Sequence, residues 1–197
     1  MRIRRNRRFW LTMLSMRKNA QSTARVLDSK LLYSGPIFGV TRDRVLEPGG
    51  VEATRDVVTH CGSVVVMPIF PNGDVLLIRQ YRHSVKTFLW ELVAGRIEHG
   101  ESALSAAKRE LREETGYRAR RYRKLLHLFP TPGFLSEYLD LFAAEGLAAG
   151  AATPEADEKI TARRYKPAEL ERLIRAGELH DSKSVAGLLY YLHFLRR

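Results

Sequence analysis

Between Gly95 and Tyr117 the chain reads GRIEHGESALSAAKRELREETGY, which sets three glutamates at Glu110, Glu113 and Glu114. On an α-helix, positions i, i+3 and i+4 share one face, so these carboxylates stand together. Like charges that close weaken a bare helix and ask for a counter-charge. A hard divalent cation with oxygen ligands, Mg2+ above all, meets that need. The flanks suit a helix between loops. Ser102 can cap its start, with Ser105 as the alternative, and Thr115-Gly116 can end it, since glycine reaches left-handed backbone without a steric penalty. Leu104, Ala107 and Leu111 supply an apolar stripe beside the acidic one. An acidic helix face can also be plain solvated surface with Lys108, Arg109 and Arg112 as partners, so the wider register decides.

That register is Gly95, five residues, Glu101, seven residues, Arg109-Glu110-Leu111, one residue, Glu113-Glu114, one residue, Gly116. It resembles the Nudix box at all eight of these positions. The departure is Tyr117, where the family carries a bulky aliphatic residue that packs on the core. The resemblance implies Mg2+, with Mn2+ as a possible substitute, and assigns roles. Glu110 and Glu114 would be the principal metal ligands, with Glu113 assisting and the Ala94 carbonyl completing the shell. Arg109 would orient the glutamates, Glu101 would brace the loop, and Gly95 would let the backbone turn a carbonyl toward the metal. Gly116 is the remaining structural position of the box. A general base comes from a mobile loop in this family; Glu137 is the first choice and Glu158 the reserve. The expected catalytic group is therefore Glu137, Glu113 and Arg109.

Beyond the box, Arg79-Gln80-Tyr81-Arg82, Glu91-Leu92-Val93-Ala94 and Pro130-Thr131-Pro132-Gly133-Phe134 are similar to segments of the ADP-ribose pyrophosphatase group. Pro132 stands fifteen residues past Tyr117, the spacing that group shows. Arg79, Arg82, Pro132 and Phe134 are the expected substrate contacts, although Arg82 fits a solvated strand end equally well and Pro132-Gly133 fits a simple turn. The implied reaction is hydrolysis of a nucleoside diphosphate sugar, ADP-ribose first, giving AMP and ribose 5-phosphate. GDP-mannose or ADP-glucose is the alternative substrate on the same machinery. A non-catalytic nucleotide sensor would have lost box glutamates, which this chain keeps. The group usually forms homodimers in which N-terminal strands reach the partner.

The formal net charge of +11 invites a nucleic-acid reading. Residues 1–27, however, hold eight lysines and arginines and no acid, so the remaining chain carries only +3. The body shows no aromatic-rich basic pattern, so an RNA-processing role and a specific nucleic-acid partner are not expected. The apolar run Phe9–Met16 is too short to span a membrane, and Arg17-Lys18 interrupts any secretory signal. Arg7-Arg8 matches a twin-arginine signal only faintly, and the acid-free composition suits an organellar presequence slightly better. A disordered extension, or an upstream start with Met16 as the true beginning, is the favoured reading. Cys61 is the only cysteine, which fits a reducing compartment and a cytoplasmic enzyme; between His60 and Gly62 it reads as a buried small residue at a strand start.

A chain of 197 residues accommodates one domain and appendages. The expected division is a basic extension over residues 1–27, N-terminal strands over 28–58 and the catalytic domain over 59–197. Apolar runs at Ser63–Phe70 and Val75–Gln80, joined through Asn72-Gly73, predict a hairpin. Further strands are predicted over Phe88–Val93, Tyr122–Phe129, Glu137–Ala143 and Lys159–Tyr165. Helices follow at Pro167–Ala176 and from Asp181 or Ser182 to about Phe194, the latter with Val185, Leu188, Leu189, Leu192 and Leu195 as its stripe. Strands covered by helices on both faces make an α/β protein, an α/β/α sandwich with a mixed sheet and an N-terminal β-rich extension. The Nudix resemblance implies the same fold.

Overall fold

The computed structural model describes residues 23–153 and 159–196. The chain divides after Val58 into two units. In the first, β1 (Arg25–Ser34) pairs antiparallel with β2 (Gly39–Leu46), and β3 (Glu52–Thr59) flanks β2. Exposed ion pairs cross this sheet, including a bidentate Arg42–Asp56 contact at 2.7 Å. Among its described residues only Val45 is buried, whereas Val26, Leu31, Leu32, Tyr33, Ile37, Phe38 and Val51 are all exposed. Three residues assigned above to the basic extension belong to β1, because its pairing starts at Arg25 opposite Leu46. Residues 1–22 of that extension lie outside the described residues.

The second unit is a seven-stranded sheet between helices. Its central order is β10 (Thr161–Tyr165), β5 (Val75–Arg82), β4 (Ser63–Ile69), β9 (Leu139–Ala148), β8 (Arg118–Leu128); β6 (Thr87–Glu91) pairs with β5 and β7 (Val93–Arg96) with β4. β4 runs parallel to β9 and antiparallel to β5 and β7, so the sheet is mixed as expected. The hairpin turns where Asn72-Gly73 places it, with the Phe70 N–H donating to Asp74 O and the Gly73 N–H to Phe70 O.

Every residue of β4 is buried, and its alternation sorts the core into two layers. Val64 and Val66, with Ile78, Val93 and Phe142, meet Ala106, Ala107 and Leu111 of α1 (Ala103–Thr115). Val65 and Met67, with Leu77, Leu92 and Leu141, meet Leu170 and Leu173 of α2 (Pro167–Arg175) and Leu188 of α3 (Ser182–Tyr190). This is the α/β/α sandwich. Burying a leucine such as Leu111, which is wholly inaccessible, stabilises the fold by about 1.5–3 kcal/mol. α3 descends close onto the sheet because Gly187 has no Cβ to strike Leu141 and Leu92.

Several expectations need correction. Leu104 is 41% exposed, and Ala106 takes its place in the stripe, because the buried arc of α1 runs through Ala106, Ala107, Leu111 and Glu114. Leu189 is likewise exposed on α3, which passes at Tyr191 into a π-helical turn ending at Leu195. Cys61 is exposed, ahead of the first β4 residue rather than inside the strand. β8 begins at Arg118, earlier than its apolar residues suggest. Its Arg118, Arg120, Arg121, Arg123 and Lys124 lie on an outer strand, where charge discourages edge-to-edge pairing.

Candidate active site

The acidic segment folds as the helix α1. Ser102 Oγ accepts the Ser105 N–H at 3.1 Å, and Gly116, at φ 74°, closes the other end by donating its N–H to Arg112 O at 2.8 Å. Tyr117, the departure from the box pattern, packs on the α1-side core and meets Phe70 edge-on, while its hydroxyl accepts from Arg164 at 2.8 Å.

α1 lies along β7, where Ala94 stands opposite Val65 and Gly95 opposite Val64. The Glu110 carboxyl group fills the space beside Gly95. A Cβ added there would fall 2.0 Å from its carboxyl carbon and from Oε1. Gly95 is not among the left-handed glycines, so it is needed for room and not, as expected from the sequence, to turn the backbone. Glu114 is 5% exposed, and the Ala94 N–H points at its Oε2 from 3.4 Å.

Arg109 gathers the segment. Its Nε and Nη2 donate to the two oxygens of Glu101 at 3.2 and 3.0 Å, Nη2 also donates to Arg96 O at 2.9 Å, and Nη1 donates to Glu110 at 2.6 Å and Glu113 at 3.3 Å. The other Glu113 oxygen accepts from Arg112 at 3.0 Å. Glu101 accepts in turn from the Glu98 N–H at 3.2 Å, which closes the loop before the helix. The Arg109 hydrogen bonds hold the Glu101 carboxyl below its ordinary range against the opposing effect of burial. The bond to Glu101, despite burial and aided by Glu110, keeps the Arg109 guanidinium more firmly protonated than usual.

Among the described residues no three acidic, histidine or cysteine side chains already converge as a cage. The donor chemistry nonetheless fits a hard cation. Three carboxylates lie within little more than one helical turn, all donors are oxygen, and glycine leaves the Glu110 carboxyl room beside β7. Glu110 and Glu113 could swing from Arg109 and Arg112 to such an ion beside Glu114.

The outer residues divide. Arg82 turns its fork onto Glu91, with Nε and Nη2 each 2.8 Å from a carboxylate oxygen. Lys183 reaches the same carboxylate and also Asp181 at 2.9 Å. Asp181 caps α3 through the Ser184 N–H at 3.0 Å, and Ser184 Oγ accepts the Leu92 N–H at 2.7 Å. The start of α3 is thereby fastened to the corner between β6 and β7. Burial acts to raise the Glu91 pKa, but its bonds to Arg82 and Lys183 outweigh this and hold it below the ordinary value. Arg79 lies over the Phe88 ring, 4.6 Å from its centroid. Pro132 and Phe134 sit in an exposed turn closed by the Leu135 N–H on Thr131 O. None of these three joins the box through a hydrogen bond or ion pair among the described residues.

Glu137 precedes β9, and its Oε1 accepts from Ser63 Oγ at 2.6 Å. Ser63 in turn stands opposite Arg96 in the β4–β7 pair, which brings Glu137 within one strand of Gly95. Glu158 lies outside the described residues. The pairings Ser63–Glu137 and Glu91–Lys183 carried no sequence signal, since they join positions 74 and 92 residues apart.

The NUDIX domain family matches residues 59–187. An ADP-ribose pyrophosphatase from Mycobacterium tuberculosis is 37% identical over 174 residues, covering 86% of this chain and 84% of its own. Another from Bacillus subtilis is 29% identical, covering 81% and 87%. A crystal structure of an ADP compounds hydrolase superposes with a TM-score of 0.77 at 21% identity, over 90% of this chain and 97% of the other, a likeness of fold. The glutamate helix, the strand it rests on and the sheet between its two helical layers all fall inside the matched segment, and this chain belongs to the NUDIX domain family.

Proposed function

We propose that this Nudix hydrolase splits the phosphoanhydride of a nucleoside diphosphate sugar, ADP-ribose first, to AMP and ribose 5-phosphate. The observation that carries the reading is the seating of Glu110 against Gly95 beside the nearly buried Glu114. Such an arrangement of oxygen donors serves a cation far better than it serves packing. The choice of substrate draws on the two relatives named ADP-ribose pyrophosphatase.

Glu110, Glu113 and Glu114, with the Ala94 backbone, would hold Mg2+, for which Mn2+ can substitute. Bound there, the cation offsets the negative charge of the diphosphate and acidifies water. Arg109 keeps the glutamates oriented through the contacts described above, and Glu101 fixes Arg109. Glu137 takes the proton from the attacking water; a new P–O bond forms as the bridging P–O bond breaks, and the second phosphate leaves with its sugar. Arg82 and Arg79 supply positive charge near the substrate, and the exposed turn at Pro132 and Phe134 offers an aromatic face to base or sugar.

The exposed apolar side chains of β1 to β3 suit a second copy of the chain, since a three-stranded sheet burying one hydrophobic residue of its own has little to stabilise it. A homodimer working in the cytoplasm is the assembly we propose. Among the described residues no helix is long and apolar enough to cross a membrane.

The test is hydrolysis of ADP-ribose, GDP-mannose, ADP-glucose and NADH side by side in Mg2+, with products resolved by chromatography. ADP-ribose is expected to be preferred and to yield AMP. Preference for GDP-mannose would keep the mechanism and change the substrate, and silence across the panel would refute the activity.

A further inference from the structure

Arg82 ends β5 opposite Thr87 of β6, in a pairing without a break in register. Ile78, four residues earlier on the same strand, belongs to the core layer that meets α1. Strand alternation therefore puts Arg82 on the side of the sheet that carries the glutamate helix. Its guanidinium is divided. Nε and Nη2 are spent on Glu91, whereas Nη1 donates to none of the described residues, and 38% of the side chain is open to solvent. The bonds to Glu91 first, then the nearby charges of Glu91, Glu114 and Asp181, keep it more firmly protonated than usual despite burial. A guanidinium seated along one edge and open on the other is ready to meet a phosphate.

The seat itself is unusual. The Glu91 side chain is 1% exposed, and a carboxylate that deep needs full compensation. Two cations share it: Arg82 engages both oxygens, and Lys183 engages Oε2. Lys183 is only 13% exposed and stands in the first turn of α3, against the positive end of the helix dipole. A cation there does nothing for the helix, whose start Asp181 already caps, so the position is explained by what the lysine reaches. Because Lys183 shares Glu91, the guanidinium can turn its open edge to an anion while the buried carboxylate stays compensated. Without the lysine, Glu91 would draw Arg82 inward as its sole counter-charge.

From this geometry we infer that Lys183 is the positioning residue for Arg82, acting through Glu91 so that the guanidinium keeps an edge for the substrate diphosphate. The hold on substrate then depends on a residue 92 positions from Glu91 in the chain and on the opposite helical layer from α1. This inference rests on the reading of Arg82 as a substrate contact, and the experiment separates the two.

The experiment is a double-mutant cycle on the full chain, with kcat and KM measured separately in Mg2+ on the nucleotide sugar that the panel above selects. Lys183→Met keeps most of the side chain and removes its charge. It is expected to raise KM about tenfold, the scale of one hydrogen bond to a charged group, with kcat within about twofold. Lys183→Arg should restore most of the wild-type KM. In the Arg82→Ala background, Lys183→Met is expected to change KM by less than about twofold, because the group it positions is already lost. Equal rises in both backgrounds would mark Lys183 as a brace for α3 alone and overturn the inference, as would a wild-type KM in Lys183→Met. If Lys183→Met does not fold, Lys183→Gln, whose amide can still bond Glu91 without a charge, carries the same expectation and the same refutation. If Arg82→Ala raises KM about tenfold or more while Lys183→Met does not, the contact stands and the positioning role falls. If Arg82→Ala keeps the wild-type KM, Arg82 is no substrate contact and the inference goes with it. Silence of the wild-type enzyme across the panel would refute the activity and the inference together.

Discussion

Gly95→Ala separates function from folding more cleanly than any other change at this site. The new methyl carbon would fall 2.0 Å from the Glu110 carboxyl carbon and Oε1, and 2.4 Å from Oε2. Ordinary contact between such atoms is about 3.5 Å, so the carboxylate must retreat by about 1.5 Å. It can, because it ends a flexible side chain and the backbone at position 95 needs no left-handed conformation. Replacing a strand glycine by alanine removes chain entropy from the unfolded state, which by itself favours folding by about 0.5–1 kcal/mol. Thermal unfolding should therefore be unchanged or raised by a few degrees. A misplacement of about 1 Å in a catalytic constellation costs on the order of a hundredfold in rate, and that loss in kcat/KM for ADP-ribose is the expectation, with more Mg2+ needed for half-maximal activity. The assay pairs a melting curve with an Mg2+ titration of initial rates. Full activity in Gly95→Ala would refute the seating of Glu110 as the feature that matters, and a collapsed melting temperature would refute the claim that the clash is local.

Glu114→Gln keeps the shape of the buried side chain and removes its charge, so the Mg2+ concentration for half-maximal rate should rise about tenfold or more, read from initial rates against Mg2+. Glu91→Gln leaves Arg82 and Lys183 facing an uncharged group; allowing for the partial exposure of Arg82, the loss is about 2 kcal/mol in urea unfolding at neutral pH. Because the folded-state pKa of Glu91 is depressed, its stabilisation is present above about pH 4.3 and is lost as pH falls through the lower folded value. The variant should lack that part of the acid slope, and a stability profile parallel to wild type below pH 5 would exclude Glu91 as its source. Leu31→Asp and Ile37→Asp place charge on the exposed apolar sheet and should halve the mass found by sedimentation equilibrium, whereas an unchanged mass would count against that sheet as the dimer contact.

What the sequence disclosed follows from distance along the chain. Glu101, Arg109, Glu110, Glu113 and Glu114 lie within fourteen positions, so helix periodicity alone brings most of them to one face. The Asn72-Gly73 turn was legible for the same reason, as were the caps at Ser102 and Gly116. Leu104 was misread because an apolar residue in the first turn of a helix fits more than one stripe, and only the sheet below decides which arc is buried. Gly95 was read for conformational freedom, which is what glycine usually supplies, while its missing volume matters only once a neighbour is known. The Arg82–Glu91–Lys183 cluster and the Ser63–Glu137 bond were invisible because they join residues brought together only by the sheet order.

Arg109 touches Glu110 and Glu113 of its own helix and Glu101 of the loop just before it. The repulsion that would otherwise make folding wait for a metal is thus relieved by a residue the chain carries with it. Supply of the cation and supply of the protein become independent events. On the proposed metal-dependent mechanism, folded enzyme would accumulate while divalent ions are scarce, and a chelator is expected to act as a reversible off-switch rather than a denaturant.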